Sequence, residues 1–450
     1  MRAMGGRARE KKRESLWSDF GSSKALLLGF VLLNYFVWVF TLVISADVDS
    51  KQQFTLFFPL DVYAWSLGQT LYTLGIMHGL ADALTRKAWE SFPQINNSTD
   101  VNYLPPLKIP TLKVQEFLGK PHPAQEARSF LETNYGTHWR ETPILLQGLW
   151  TVQDLLATKT NRTLTPNGLL KTHHVEIPYF SDATVVGALQ PDAHDSIANI
   201  VQSMIDGNPH KIGSQLLVQR HPELLTEVAP LEFLQQLFGN HFTQNHIMGT
   251  NNRTGWRCWL PGTTTVPVFI ANTSPLTPLK LQNNNDDDKN DGGKQTCDST
   301  EPISKSKPFT GLHCEPIANV AVQLWGSRTW TLVDPQHSFH LRPSIAKDGR
   351  SFFATQITTA ELESQISRYE ITTTPGDALW LPTWTYHKVD YVYQNNDTED
   401  TNADELHQYQ LSIGASLFHF RPLDYLRKNP LFALLLIPSL VKELAGIKTQ

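Results

Sequence analysis

An uncharged, apolar stretch of 22 residues, 25–46, limits the architectures open to this chain more than any other part of its sequence. As a helix, such a stretch is long enough to cross a hydrocarbon core about 30 Å thick. It is also longer than the apolar region of about 7 to 15 residues that is typical of a cleaved signal peptide. We therefore predict an uncleaved transmembrane helix over residues 25–46, with cleavage at the small residues Ser45 and Ala46 as the alternative.

The charges on either side of this stretch predict its orientation. The flank that follows begins with Asp47 and Asp49. Basic residues dominate the flank that precedes it: Arg2, Arg7, Arg9, Lys11, Lys12, Arg13 and Lys24. Because basic flanks stay in the cytoplasm, residues 1–24 are predicted to form a basic cytoplasmic tail. The body is then expected in the lumen of the ER or Golgi, as in a single-pass type II membrane protein.

Glycosylation sequons are spread over the body, as a lumenal protein requires. An Asn-x-Ser/Thr triplet without proline occurs at Asn96, Asn97, Asn161, Asn252, Asn272 and Asn396. The alternative is that an Asn- and Thr-rich sequence produces such triplets by chance.

A second apolar segment, residues 54–84, bears on this topology. It contains Asp61, Gln69, His78 and Asp82, which make a membrane span costly. We predict an interfacial or packed helix here, within an amphipathic and stem region over residues 47–110. A second span, the alternative, would return the body to the cytosol.

Bulk composition limits the partners of the body. With 450 residues and 40% hydrophobic residues, the chain can bury a sizeable core. The formal net charge is only -5 and the body has no extended basic block, so we expect no nucleic-acid partner. Cys258, Cys297 and Cys314 lack zinc-type spacing, and a Cys258–Cys297 disulfide and two unpaired thiols are both open.

Local patterns predict two helices and one strand before residue 240 and mainly strands after residue 310. Residues 124–132 and 230–239 read as helices, the second ending at Gly239, and residues 142–150 read as a buried strand. The hydrophilic, low-complexity residues 283–293 lie within a predicted disordered insertion near 275–307.

Strand patterns then dominate. Two apolar runs, 319–325 and 329–333, flank Gly326 and Ser327, which predicts a hairpin. Pro375-Gly376-Asp377 is a turn signature before another strand, and residues 407–420 alternate between polar and apolar types. The expected fold class is mainly β with flanking helices, closed as a barrel or double sheet.

Three side chains in this β-rich part form a candidate metal site. His313 and Glu315 are two residues apart in a strand, so both project to one face while Cys314 faces away. His387 lies 74 residues beyond His313, near the end of another predicted strand. Two histidines and one carboxylate that leave positions open are the ligand set of non-haem iron(II) oxygenases.

Two segments carry a family resemblance: FTGLHCEPIANVAVQLWGSRTWTLVDP and PGDALWLPTWTYHKV. They resemble the core of the Jumonji-C or cupin-like family of 2-oxoglutarate oxygenases. The resemblance implies a double-stranded β-helix, the cupin or jelly-roll barrel, as a JmjC-like domain over residues 111–425. In this family, helices after the barrel form a dimer interface. The apolar C-terminal helix expected over residues 426–450 therefore suggests a homodimer, with a membrane-surface helix as the alternative.

The resemblance also implies roles for six residues. His313, Glu315 and His387 stand where the family holds iron(II). Thr310 and Asn319 occupy the positions of polar contacts to 2-oxoglutarate, and Arg328 that of the basic residue that pairs with its distal carboxylate. Glu315 departs from the usual Asp by one methylene.

Five aromatic residues accompany these motifs. We expect Trp325, Trp330 and Trp380 in the core and Trp384 and Tyr386 in a substrate cleft. Cys314, beside the ligands, is expected to be a small buried hydrophobe.

The sequence thus predicts a membrane-anchored iron(II)- and 2-oxoglutarate-dependent dioxygenase that hydroxylates a protein side chain or another secretory-pathway substrate. One alternative is a membrane-anchored, cupin-like binding module without catalysis, which the Glu315 departure keeps open. Another is a cytosol-facing JmjC demethylase. The sequence does not name the substrate.

Overall fold

The fold is described from a computed structural model. The structure describes residues 59–92, 103–151, 155, 162–182, 191–239, 264–273, 309–346, 350–392 and 410–444. The chain divides into two compact units. The smaller unit is drawn from Met1–Asn97, Arg342–Ser351 and Asn429–Thr449, and the larger from Ser98–Leu341 and Phe352–Lys428.

Helices lie mainly before and after the strand-rich part of the chain. The α-helices are α1 Pro59–Leu74, α2 His78–Ser91, α3 Gln115–Leu118, α4 Pro123–Tyr135, α5 Pro166–Leu169, α6 Ile197–Ile205, α7 Leu216–Arg220, α8 Leu225–Val228, α9 Leu231–Phe238, α10 Thr359–Gln365, α11 Pro422–Lys428 and α12 Pro430–Leu444. Short 3₁₀ helices are formed by Trp139–Glu141, Pro222–Leu224 and Pro335–Leu341.

The strands are short before residue 309 and longer after it. They are β1 Thr111–Lys113, β2 Ile144–Gln147, β3 Glu176–Tyr179, β4 Ala193–Ser196, β5 Lys211–Ser214, β6 Thr264–Thr265, β7 Val268–Asn272, β8 Phe309–Cys314, β9 Ala318–Trp325, β10 Ser327–Val333, β11 Ser344–Ile345, β12 Phe353–Ala354, β13 Tyr369–Thr373, β14 Ala378–Leu381, β15 Tyr386–Val392 and β16 Leu411–His419. The architecture is mixed α/β, with more helix than the mainly-β class expected from the sequence.

Two sheets organise the larger unit. One has the strand order β1-β2-β14-β9-β16-β7-β5, with β6 also paired to β16. The other contains β12-β8-β15-β10-β13 in that order. Apart from the parallel β1–β2 pair, the strand pairs in these sheets are antiparallel. We call them the large sheet and the small sheet.

The hairpin predicted at Gly326 is wrong. β9 pairs with β14 and β16 in the large sheet, whereas β10 pairs with β13 and β15 in the small sheet. Gly326 has φ +62, and a Cβ at this position would lie 2.1 Å from the Leu411 carbonyl oxygen. Glycine therefore turns a tight corner that carries the chain from one sheet to the other.

The large sheet buries both of its faces. Val320, Val322 and Trp380 point to one side, in a hydrophobic cluster shared with the helices before residue 239. Ala321 and Leu379 alternate with them and pack with Trp330 and other residues of the small sheet in a second cluster. Because each face is covered, β16 is buried along almost its whole length, although its residues alternate between polar and apolar types.

The turn before β14 forms as predicted. Gly376 has φ +96, and the Asp377 carboxylate accepts hydrogen bonds from the Gly148 N–H at 3.0 Å and the Thr374 N–H at 3.0 Å. The bond from Gly148 ties the start of β14 to the end of β2, and the two strands pair in the large sheet.

The smaller unit contains α1, α2, α12 and β11. Trp65 of α1 is fully buried, packs against Phe432 of α12 at 5.4 Å between ring centroids, and donates from Nε1 to the Pro343 carbonyl at 2.9 Å. The apolar residues Leu431 and Leu436 of α12 are also buried. Residues 59–91 thus form two helices where the sequence suggested one, and no helix in the described ranges is long and apolar enough to cross a bilayer.

Other local predictions have clear outcomes. α4, β2 and α9 confirm the elements expected around residues 124–132, 142–150 and 230–239, with Gly239 at the C-cap of α9. Trp325, Trp330 and Trp380 are buried as expected.

Two residues expected in a cleft lie elsewhere. Trp384 and Tyr386 are fully buried, so neither lines an open cleft. Both side chains pack in the protein interior, as large aromatic side chains commonly do.

Asn272 is not available as a glycosylation site. Its side chain is 3% exposed, and its Nδ2 donates to the Met204 carbonyl at 2.8 Å. The sequon at this position therefore has no glycan acceptor on the folded surface.

Several predictions concern residues outside the described ranges. They are the cytoplasmic tail over 1–24, the transmembrane helix over 25–46, the insertion near 275–307, the sequons at Asn96, Asn97, Asn161, Asn252 and Asn396, and the Cys258–Cys297 disulfide.

Candidate metal centre

His313 and His387 lie side by side on adjacent strands of the small sheet. They are directly paired in the β8–β15 register, and their ring centroids are 4.3 Å apart. The side chains of His313, Glu315 and His387 each bring one potential ligand atom to within 4.8 Å of the others. We call these three residues the ligand group. The structure therefore assembles the three residues that the sequence predicted as metal ligands.

A β-bulge shapes this strand pair. β15 residues His387 and Val389 oppose β8 residues His313 and Thr310, so β8 holds one extra residue between the two pairs. Directly paired residues share a face, and Val389 packs in the cluster between the two sheets. Thr310 and His313, although three residues apart, therefore both face the inter-sheet space.

Backbone carbonyls orient both imidazoles. His313 Nδ1 lies 2.7 Å from the Gly311 carbonyl oxygen, and His387 Nδ1 lies 3.1 Å from that of Thr385. Because a carbonyl only accepts, each Nδ1 carries the proton and each Nε2 presents its lone pair. This is the arrangement by which metal-binding histidines are usually held.

Burial keeps His387 neutral. The residue is 8% exposed, and loss of hydration lowers its pKa to about 4, against a smaller opposing effect of the Thr385 carbonyl. At neutral pH its Nε2 is therefore free of a competing proton. His313 and Glu315 are more open, with 14% and 23% of their side chains exposed, so the group is accessible from one side.

A strained turn holds the backbone of Glu315 in place. Trp384 has φ +69, a left-handed conformation that is rare for a bulky residue, and its N–H donates to the Glu315 carbonyl at 3.1 Å. Its indole stacks on Tyr425 at 5.6 Å and donates from Nε1 to the Tyr425 carbonyl at 3.0 Å. The turn that precedes His387 thus also fixes the backbone of Glu315.

Cys314 has the role expected of it. It is fully buried, and burial raises the pKa of its thiol. It is paired with Phe353 of β12, and it does not belong to the ligand group. A neutral thiol in this position acts as a small apolar side chain.

Arg328 is a buried cation. It is 2% exposed; Nε donates to Ser412 Oγ at 3.0 Å and a terminal nitrogen donates to the Phe269 carbonyl at 2.7 Å. Its guanidinium also lies 5.3 Å from the centre of the Tyr391 ring. Burial lowers its pKa, although a guanidinium remains charged at neutral pH. Within the part of the chain that the structure describes, no carboxylate neutralises this charge.

Asn319 faces the same space from the large sheet. It is paired with Leu381, which packs between the sheets, and its Nδ2 donates to Ser416 Oγ at 3.2 Å. Its Oδ1 is buried and has no hydrogen-bond partner among the described residues. Asn319, Arg328 and Thr310 thus surround the inter-sheet space that also holds the ligand group.

These residues fit a divalent transition metal. Two ligand atoms that are each about 2 Å from an ion lie at most about 4 Å apart. His313 Nε2 and Glu315 Oε1 are 4.0 Å apart, so small side-chain rotations bring the group to bonding distance. Two imidazoles and one carboxylate suit iron(II) in a site that keeps open positions.

Other histidines stay outside this group. Among the described residues, His313, Glu315 and His387 are the one cluster of three ligand-type side chains, and His173, His174, His337 and His340 are not part of it. His174 instead lies 3.2 Å from His221 between their Nε2 atoms, a contact between distant positions that the sequence did not predict.

Residues 281–408 match the sequence pattern of the family described as the cupin-like domain. This segment of the chain is a cupin-like domain. It includes β8 to β15 and therefore all three ligand-type residues, and the antiparallel sheets are consistent with a cupin. No curated protein is similar enough to the chain to count as a match.

The cupin-like site depends on residues that sequence reasoning missed. Ser412 and the Phe269 carbonyl hold Arg328, and Trp384 holds Glu315. Ser412 lies on β16 and Phe269 on β7, so only the pairing of distant strands brings them to Arg328. No local sequence signal identifies either contact.

Proposed function

We propose that the chain is an iron(II)- and 2-oxoglutarate-dependent dioxygenase that hydroxylates a protein side chain. His313, Glu315 and His387 would hold the iron. When bound, iron(II) and 2-oxoglutarate together supply the oxidation of an unactivated C–H bond by molecular oxygen. We also infer that the two sheets form the double-stranded β-helix of a JmjC-like domain over residues 111–425.

Other residues of the chain would orient the imidazoles, exclude water and leave room for substrate. The Gly311 and Thr385 carbonyls accept the Nδ1 protons, so each neutral imidazole would present its Nε2 lone pair to the metal. The packed inter-sheet cluster around Trp330, Leu332 and Tyr391 excludes water from one side of the site. The exposed edges of His313 and Glu315 leave the other side for substrate.

The observation that carries this proposal beyond metal binding is the environment of Arg328. Among the described residues the hydrogen bonds of Arg328 go to neutral oxygen atoms, and a buried charge without an opposite charge is costly unless a ligand supplies one. A guanidinium binds a carboxylate through two parallel hydrogen bonds, so a dicarboxylate such as 2-oxoglutarate suits this position. Asn319 and Thr310 would add polar contacts to the same ligand.

The place of action is part of the proposal. The stretch 25–46 would anchor the chain as a single-pass type II membrane protein, with the JmjC-like domain in the ER or Golgi lumen. The substrate would then be a protein of the secretory pathway. A homodimer through the C-terminal helix is proposed on the family resemblance alone.

Calorimetry on the full-length chain tests whether metal and 2-oxoglutarate bind together. We expect 2-oxoglutarate to bind in the presence of Mn(II), a redox-stable substitute for iron(II), and not in its absence. His387→Ala should abolish both events. His173→Ala, which alters an exposed histidine outside the ligand group, should change neither.

Other outcomes identify the alternatives. Mn(II) binding without metal-dependent 2-oxoglutarate binding would favour a cupin-like binding module. If the unaltered chain binds neither Mn(II) nor 2-oxoglutarate, Glu315 does not replace the usual Asp as a ligand.

A further inference from the structure

The turn that joins α1 to α2 exposes an apolar cluster. Every residue from Leu74 to Leu80 is exposed, and we call these seven residues the hairpin tip. Four of them are large and apolar: Leu74, Ile76, Met77 and Leu80, with 42%, 46%, 52% and 41% of their surface exposed. Single exposed apolar residues are normal on a protein surface, but a contiguous apolar patch marks a contact surface.

The hairpin tip has a defined conformation. Gly75 has φ +68; its N–H donates to the Tyr72 carbonyl at 2.9 Å, and the Ile76 N–H donates to the Leu71 carbonyl at 3.1 Å. This is a Schellman motif at the end of α1. Met77 then takes φ +51, a region unfavourable for a residue with a Cβ. An apolar side chain is thus held outward by a backbone conformation that glycine or asparagine would adopt more easily.

The two helices behind the tip pack closely. A Cβ at Gly68 would lie 2.6 Å from Thr85 Oγ1, so only glycine permits this approach of α1 to α2. Gln69 joins the helices by donating from Nε2 to Thr85 Oγ1 at 2.9 Å. The tip is therefore carried on a rigid support, which suits a preformed contact surface.

The charge pattern around the tip suits a lipid bilayer. The sequence contains no Asp, Glu, Lys or Arg between Asp61 and Asp82, and the Asp82 carboxylate accepts a hydrogen bond from the Tyr72 hydroxyl. The tip can therefore leave water without burying an Asp, Glu, Lys or Arg side chain, and His78 is the one titratable residue within it. Arg86 and Lys87 are exposed six and seven residues beyond Leu80, roughly 9–10 Å along α2, where basic side chains reach lipid headgroups.

The chain that precedes α1 argues for lipid rather than a protein partner. Residues 47–58, 12 in number, separate the apolar stretch 25–46 from Pro59. A connection of this length reaches at most about 40 Å, more than the roughly 24 Å length of α1. Either end of the hairpin is thus within reach of a bilayer that holds residues 25–46. Its other end carries Asp61, Glu90 and Ser91, so only the tip end is apolar.

We propose that the hairpin tip inserts into the surface of the same bilayer that holds residues 25–46. This inference rests on the proposed membrane anchor and adds a second point of attachment. Leu74, Ile76, Met77 and Leu80 enter the boundary between headgroups and acyl chains, and Arg86 and Lys87 lie at the level of the phosphates.

A fluorescent label on the full-length chain in phosphatidylcholine vesicles tests this contact. Cys258 and Cys297 are replaced by serine, and Cys314 is fully buried and escapes labelling. An environment-sensitive dye is attached to Met77→Cys at the tip or, as the matched control, to Ser91→Cys at the other end of α2. Ile76→Cys provides a second tip position if Met77→Cys fails to fold.

We expect the quencher in the lipid to act on the dye at position 77 and the aqueous quencher to act on the dye at position 91. The dye at position 77 should be quenched by spin-labelled acyl chains, and its quenching by aqueous iodide should be less than about one third of that at position 91. Equal iodide quenching at both positions in chains that float with the vesicles would overturn tip insertion and leave the anchor intact. Shielding from both quenchers would mean that protein, such as a second copy, covers the tip, and would also overturn the proposal. Chains that do not float with vesicles would contradict the anchor and tip insertion together.

Discussion

Glu315 is the proposed ligand whose identity departs from the family resemblance. We expect Glu315→Gln to lower the affinity for Mn(II) by about a hundredfold or more, because loss of even an outer-shell partner costs about 10- to 100-fold. Calorimetric titration of the metal measures this change. Glu116→Gln is the control, since Glu116 forms only an exposed pair with Lys113 at 3.9 Å. Equal Mn(II) affinities in the two variants would show that Glu315 is not part of the metal site.

Arg328 separates 2-oxoglutarate binding from metal binding. Arg328→Met should weaken 2-oxoglutarate binding by about thirtyfold or more, since a buried charge pair that loses one partner costs about 2–5 kcal/mol. Mn(II) affinity should stay unchanged because Arg328 is not in the ligand group. Because Arg328 has no carboxylate partner among the described residues, Arg328→Met leaves no opposite charge unpaired in the interior, so the variant should fold.

The same calorimetric titration with 2-oxoglutarate gives the control. Arg220→Met alters an exposed arginine and should leave the affinity as it is. Unchanged 2-oxoglutarate affinity in Arg328→Met would contradict the role proposed for this residue.

Sequence periodicity predicted part of this site and missed the rest for physical reasons. The spacing of His313 and Glu315 predicted that both side chains project to one face, because side chains two residues apart in a strand point the same way. Thr310 shares a face with His313 at an odd spacing, which only the β-bulge permits. The sequence gives no sign of this bulge, and the role of Thr310 came from the family resemblance alone.

The turn between β14 and β15 is the element on which the site depends most. Trp384→Ala should lower the free energy of unfolding by about 3–5 kcal/mol, because it leaves a cavity where a fully buried indole stood. Trp384→Phe keeps a ring against Tyr425 but loses the Nε1 hydrogen bond, and should cost about 1–2 kcal/mol. Denaturant unfolding of the larger unit measures both, and equal losses would show that ring packing contributes nothing.

Elements were predicted better than their connections. The runs around Gly326 indicated two strands, and both exist as β9 and β10. A hairpin and a corner between sheets share the same pattern of apolar run, glycine and apolar run, so their local sequence does not distinguish them. Trp384 at φ +69 is a further example, because propensity argues against a bulky residue there and tertiary packing overrides it.

The topology of the whole chain makes a separate prediction. If the body is lumenal, the chain expressed in secretory cells should carry glycan at Asn252 or Asn396, and enzymatic deglycosylation should increase its electrophoretic mobility. Asn272 should carry none because its amide is buried and hydrogen-bonded. Mass spectrometry of its peptides locates the glycans. If the chain is inserted in the membrane but neither Asn252 nor Asn396 carries glycan, the cytosol-facing alternative is favoured.

Turnover of 2-oxoglutarate by the purified full-length chain tests the oxygenase proposal. With iron(II) and oxygen but no other substrate, we expect succinate to form together with oxygen consumption, since such uncoupled turnover is common in the family that the chain resembles. His387→Ala should abolish it, and His173→Ala should not. The absence of succinate from a chain that binds both metal and 2-oxoglutarate would contradict the proposal and favour a cupin-like binding module.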